Sequence, residues 1–239
     1  MTVADIPAVH RELRQAFAAV RAPVIDLVAA QTHDPFRVLV GTILSARTRD
    51  QTTAEACERL FRRVRTPAEL RQVPLADLER LIFPVGFYHT KAKHLQALPD
   101  ALDAQFGGRV PDTVEALCAL PGVGRKTANL VVVLGFGKHG ICVDVHVHRI
   151  CNRLGLIRTR TPIETEMTLR RILPLRYWKT WNSCLVAFGQ TRCLPVRPRC
   201  PTCPLRRWCD TATASGLRNP GSEVRNPGSG VRNPAPREA

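Results

Sequence analysis

The chain has 239 residues, 44% of them hydrophobic, and carries 35 Lys+Arg against 20 Asp+Glu, a formal charge of +15. That length and apolar content fit one large domain or two small ones, while the longest apolar run, LVVVLG at 130–135, is far short of the roughly 20 residues of a membrane span. The charge points to a polyanionic partner, nucleic acid first.

The N-terminus, MTVADIPAVH, lacks a basic n-region and an apolar h-region, so export is not expected. Without export, the nine cysteines read as reduced thiols and cofactor ligands, not a disulfide framework. The first helix falls in 7–20, where Val9, Leu13, Phe17 and Val20 form one stripe. Asp34 followed by Pro35 signals a capped helix with proline at its first position. Asp50 is expected to cap the next, with Ala54, Cys57, Leu60 and Phe61 at helical spacing. Further helices are predicted at 89–106, 112–119, 125–135, 145–154, 163–173 and 176–189. No run alternates apolar and polar residues for long, so the fold class is all-α. From Gly216 an Arg/Asn/Pro/Gly unit recurs every seven residues, at Arg218, Arg225 and Arg232, and the segment 213–239 reads as a disordered tail.

Residues 120–129 read LPGVGRKTAN, between two helical segments. Pro121 stops the first; Gly122, Val123 and Gly124 make a tight reversal whose backbone can approach an outside group closely. The second helix then opens with free N–H groups beside Arg125, an arrangement suited to a DNA phosphate. This is a helix–hairpin–helix, which tracks the backbone without reading bases. Lys126 sits in the first turn of that helix. Its amine reads either as a nucleophile toward a carbon such as a sugar C1′ or as a second phosphate-binding cation.

Asp144, in VDVHVHR at 143–149, follows eighteen residues later. The intervening chain is long enough to return it opposite Lys126, and as N-cap of helix 145–154 it would be held rigidly. A carboxylate there could orient or deprotonate the lysine and stabilise positive charge on a sugar ring. Capping alone is the simpler reading, and the two roles are compatible.

The segment CLPVRPRCPTCPLRRWC places Cys193, Cys200, Cys203 and Cys209 in a C-x6-C-x2-C-x5-C pattern. Four thiolates on one loop can hold zinc or an iron–sulfur cluster. The same loop carries Arg197 and Arg199, which suggests such a centre beside polyanionic DNA or RNA. Cys57, Cys118, Cys142, Cys151 and Cys184 lie on or beside apolar helical faces and read as core.

These three motifs, with GFYHTKAKHL at 86–95, resemble the endonuclease III family from about Asp34 to Cys209. That resemblance implies a helix–hairpin–helix DNA glycosylase fold with a six-helix barrel domain over 28–136. A helical iron–sulfur domain would be built from 1–27 and 137–212. It implies a [4Fe–4S] cluster on the four cysteines, with zinc the alternative. It implies Lys126 as Schiff-base lysine and Asp144 as catalytic aspartate of a bifunctional glycosylase/AP lyase. The substrate would be oxidised pyrimidines, of thymine glycol type, or abasic sites in double-stranded DNA; mismatched or alkylated bases, or a non-catalytic iron–sulfur DNA-binding module, are the alternatives. Extrusion of a base leaves a gap. Where the family often has Gln, this chain has Arg47, a departure that bears on opposite-base preference. Phe87 is the candidate second wedge, and His146 would line the pocket. A monomeric, cytoplasmic, nucleoid-associated protein without membrane contact is expected.

Overall fold

The structure, a computed structural model, describes residues 1–16 and 34–214. Within them every regular element is helical, in agreement with an all-α reading. Helix α1 spans Ile6–Ala16; Val9 and Leu13 of the expected stripe are buried, whereas Phe17 and Val20 lie outside the described residues. Helix α2, Pro35–Ser45, starts where expected: the Asp34 carboxylate accepts from the Phe36 N–H at 2.9 Å, with Pro35 at the first position. Helix α3, Asp50–Arg63, corrects one expectation, since Arg49 occupies the cap position and Asp50 lies inside the first turn.

Two helices were not anticipated, α4 (Pro67–Arg71) and α5 (Leu75–Ile82). Their stripes are too short for periodicity to register. The start of α4 is nonetheless written in the sequence: Thr66 caps it by accepting from the Glu69 N–H, and Pro67 follows at the first position. The same Thr-Pro-x-Glu signature recurs at Thr161 and opens α10. Helices α6 (Tyr88–Phe106), α7 (Val114–Cys118), α8 (Arg125–Phe136) and α9 (Val145–Leu154) match prediction closely, as do α10 (Pro162–Ile172) and α11 (Trp178–Thr191). A short α12, Asp210–Ala214, runs two residues into the segment expected to be disordered; the rest of that tail lies outside the described residues.

Two hydrophobic cores organise these elements. The first gathers buried residues between Phe36 and Val132, from α2 to α8. Helix α2 is apolar around most of its circumference, as befits a central helix, and α8 lies against it so closely that a Cβ on Gly135 would meet Pro35 at 3.2 Å. The second core joins Ile6, Val9 and Leu13 of α1 to residues from Ile141 to Leu205, around the fully buried Trp181 and Phe188. The N-terminal helix thus packs with the C-terminal half of the chain. The hairpin and α8 belong to the first core, and α9 to the second. Lys126 and Asp144 therefore come from opposite sides of the junction between them.

Candidate active cleft and nucleic-acid interface

The hairpin is fixed by three residues with different roles. Gly122 adopts a left-handed φ of 76°, and a Cβ there would strike His94 Nδ1 at 2.6 Å. Gly124 has an ordinary extended φ and open space around it, so what it leaves is room for an outside group. The Val123 side chain is buried in the first core, which leaves its backbone as the part that faces outward.

Arg125 has a partner that its motif does not announce. Its guanidinium is committed to Glu166 of α10, with Nε donating to Oε2 at 2.9 Å and Nη2 to Oε1 at 2.8 Å, while Nη1 stands 3.7 Å from Glu115. Glu166 is only 2% exposed and also accepts from Arg170, whose Nη2 donates to Asn129; the Asn129 amide returns to the Arg125 carbonyl. Burial pushes the Glu166 carboxyl up, but hydrogen bonds from Arg125 and Asn129 and the charges of Arg125 and Arg170 outweigh it and hold the group below the ordinary carboxylate range. Breaking a buried pair of this kind costs about 3–5 kcal/mol, whereas an exposed ion pair returns at most about 1 kcal/mol. Arg125 is thus a brace between the two cores, with its guanidinium engaged by Glu166.

Lys126, beside it, is exposed and makes no hydrogen bond or ion pair among the described residues. Asp144 caps α9: a single oxygen, Oδ1, accepts from the backbone N–H groups of His146 (2.9 Å) and Val147 (3.0 Å), so Oδ2 takes no part in the cap. The charges of Lys126 and Asp144 both reach the His146 ring. Burial lowers the tendency of that ring to protonate; Asp144 opposes this, and Arg149 and Lys126 add to it. Arg149 approaches His146 Nδ1 at 3.2 Å, and because a guanidinium only donates, Nδ1 is the acceptor and Nε2 carries the proton. Gly189 of α11 makes room for this ring, since a Cβ there would stand 2.3 Å from His146 Nδ1. Neither Gly189 nor Arg149 is visible as a site residue in the sequence, because both act only across a contact between α9 and α11.

The four cysteines of the C-terminal loop line one cavity with Arg153 and Leu205. The Cys203 thiol is raised to about 11, chiefly by burial, with the Leu205 backbone opposing and charge on Cys209, Cys193 and Cys200 contributing, so the four sulfurs share one electrostatic site. Among the described residues, no group of three or more His, Cys, Asp or Glu is placed to hold a metal ion. Arg153 of α9 holds the start of the loop: Nη1 donates to the Leu194 carbonyl and Nη2 to that of Pro195, both at 2.7 Å, and Nη1 lies 3.4 Å from Cys193 Sγ. Arg149 donates to the Cys193 carbonyl at 2.8 Å. Beyond this anchor, Arg197, in a left-handed conformation with φ 52°, and Arg199 are exposed and unpaired. Cys57, Cys142 and Cys151 are buried and Cys118 and Cys184 partly so, as expected of packing residues.

A second exposed edge lies where the α2–α3 and α5–α6 connections meet. Arg47 and Phe87 both stand out there, with the guanidinium 5.7 Å from the ring centroid. The two candidate wedges, 40 positions apart in sequence, are thus neighbours in space.

Residues 40–175 match the family described as HhH-GPD superfamily base excision DNA repair protein. Endonuclease III of Thermotoga maritima is 49% identical over 177 residues, 74% of this chain and 83% of that protein. The chain belongs to the endonuclease III family. Two solved structures agree in fold. One is a non-covalent endonuclease III–DNA complex (TM-score 0.78, 35% identity, 91% of this chain and 100% of that one). The other is a trapped covalent endonuclease III–DNA intermediate with an estranged adenine (TM-score 0.77, 34% identity, 90% and 99%). As a member of the endonuclease III family the chain is a base excision repair enzyme of the DNA glycosylase/AP lyase class. No helix among the described residues is long and apolar enough to cross a membrane.

Proposed function

We propose that the chain removes oxidised pyrimidines, of thymine glycol type, from duplex DNA and then cuts the strand. The observation that carries this reading is the pairing of an exposed, unpartnered Lys126 with a rigidly capped Asp144, both acting on the field at His146. A lysine free of partners can reach an extruded sugar; a carboxylate with one oxygen in the cap keeps the other for chemistry. In this reading the Nζ lone pair forms a bond to C1′ as the C1′–base bond breaks, and the base leaves with its electron pair and takes up a proton. Asp144 Oδ2 receives the proton that the lysine must shed and stabilises the cationic sugar. The nitrogen lone pair then forms C1′=N as the C1′–O4′ bond breaks and O4′ takes up a proton; this imine acidifies C2′, and loss of that proton expels the 3′ phosphate oxygen and completes β-elimination. His146, neutral and donating through Nε2, lines the pocket. Gly122, Gly124 and the backbone of Val123 hold the phosphate, and Arg197 and Arg199 contact the duplex.

A panel of duplexes carrying one lesion each, scored separately for base release and nicking, tests the lesion class. Thymine glycol is expected to be released and nicked fastest, with borohydride trapping a covalent adduct. Release of mismatched or alkylated bases with no release of oxidised pyrimidines would overturn it, and absence of adduct with every lesion would favour a binding module.

The four cysteines fit a [4Fe–4S] cluster. All four line one cavity with cationic Arg153 against the first sulfur, a set of four thiols in the number such a cluster takes. Such a centre, when bound, would neutralise the mutual repulsion of the thiolates and stiffen the loop that presents Arg197 and Arg199. Purified protein is expected to be brown, with broad visible absorption and about four irons per chain; a colourless protein containing zinc would refute this.

A further inference from the structure

We propose that Lys91 is a positioning residue for DNA entry: its buried ammonium holds Arg47 and Phe87 together as one preformed wedge. This rests on the reading of Arg47 and Phe87 as the residues that fill the gap left by an extruded base.

Lys91 lies in the first turn of α6 and is only 7% exposed. An ammonium has three N–H donors and no acceptor. All three find oxygen here: Leu44 O at 2.8 Å, Ala46 O at 2.6 Å and Thr48 Oγ1 at 3.2 Å. Two of these are carbonyls at the C-terminal end of α2, where a cation also complements the helix dipole. The three acceptors bracket Arg47 on both sides. Burial pulls the ammonium down to about 8, a measure of how far it has been taken from water to make these contacts.

The same atoms tie in the second loop. Thr48 Oγ1 also accepts from the Gly86 N–H at 3.2 Å, and the backbone N–H of Lys91 donates to the Phe87 carbonyl at 3.1 Å, the first bond of α6. Gly86 is needed because a Cβ there would lie 2.5 Å from the Arg47 carbonyl oxygen. The Lys91 side chain thus holds the first loop, Thr48 Oγ1 carries the link on to Gly86 of the second, and the loops touch backbone to backbone beneath their exposed tips.

Both tips are strained. Arg47 has φ 54° and Phe87 φ 58°, left-handed values that few non-glycine residues adopt. Such strain persists only where surrounding contacts impose it, and it marks sites of function. A buried cation capping one helix end would account for α2 alone. It does not account for two strained, exposed residues from different connections, stacked on each other over that cation. Preorganisation does: a wedge already folded loses no further freedom when it enters the stack.

The test uses full-length holoprotein and a duplex with 2-aminopurine beside the lesion, whose emission rises when stacking is broken. Variants are Lys91→Met, Thr48→Val and Arg47→Ala. Lys91→Met is expected to bind the duplex within about threefold of parent but to lose most of the emission rise, and to slow duplex base release by about tenfold. Beta-elimination at an abasic site in a single strand, where there is no gap to fill, should change by less than about twofold. A parental emission rise and parental duplex rate in Lys91→Met would overturn the proposal. So would equal losses on single and double strands with a lowered melting temperature, the mark of a packing role alone. If Lys91→Met does not fold, Thr48→Val, which removes the oxygen shared by Lys91 and Gly86, must show the same strand-dependent loss, about threefold, or the proposal fails. An unchanged emission rise in Arg47→Ala would overturn instead the wedge reading beneath it.

Discussion

Lys126→Ala is expected to abolish the borohydride-trapped adduct and to reduce nicking of a lesion-containing duplex by at least about a thousandfold, since it removes the nucleophile itself. The structure makes this a clean experiment. The side chain is exposed, with no hydrogen bond or ion pair, so its loss strands no partner and should move stability by no more than about 0.5 kcal/mol. The helix it stands on is held by Arg125 and Glu166, which the substitution leaves in place. Duplex affinity should stay within about fivefold, because one phosphate-range cation among many is lost. Undiminished nicking by this variant would remove Lys126 from the chemistry and leave it as a phosphate ligand.

Asp144→Asn carries the second large effect. Asparagine caps a helix about as well as aspartate, and the cap here uses one oxygen, so α9 should keep its start and the melting temperature should hold. The carboxylate charge is lost, together with a proton acceptor for the lysine, and turnover is expected to fall by about two to three orders of magnitude at unchanged duplex binding. Asp144→Ala separates the two functions, adding about 1 kcal/mol of destabilisation from the missing cap. Should Asp144→Asn lose binding in the same proportion as turnover, or lose neither, the carboxylate is a cap and nothing else.

The parts of the site that follow from short motifs were legible in the chain itself. Gly122 and Lys126 belong to a hairpin whose turn chemistry is local, Asp144 to a cap, and the four cysteines to a spacing. Helices α2 and α6 to α11 were visible for the same reason, in stripes and cap residues. What escaped is long in sequence separation. Glu166 lies 41 positions from Arg125, and its effect is to engage that guanidinium in an ion pair between the two cores. Lys91 bonds to oxygens 43 to 47 positions earlier, and Gly189 acts on His146 across 43 residues. The burial of Val123 depends equally on neighbours brought by the fold. No periodicity or motif encodes which buried cation meets which carbonyl, because that is decided by how the helices pack.

The Glu166 brace has a further consequence. A carboxylate shared by arginines on α8 and α10 ties the two halves of the molecule together, so widening the mouth for a stiff, straight substrate would cost a buried ion pair. Accommodation must come from the nucleic acid, which has to flex at the damaged step to enter. Under the proposed substrate reading, weakened stacking around an oxidised base would help to select it before any atom of the lesion is touched.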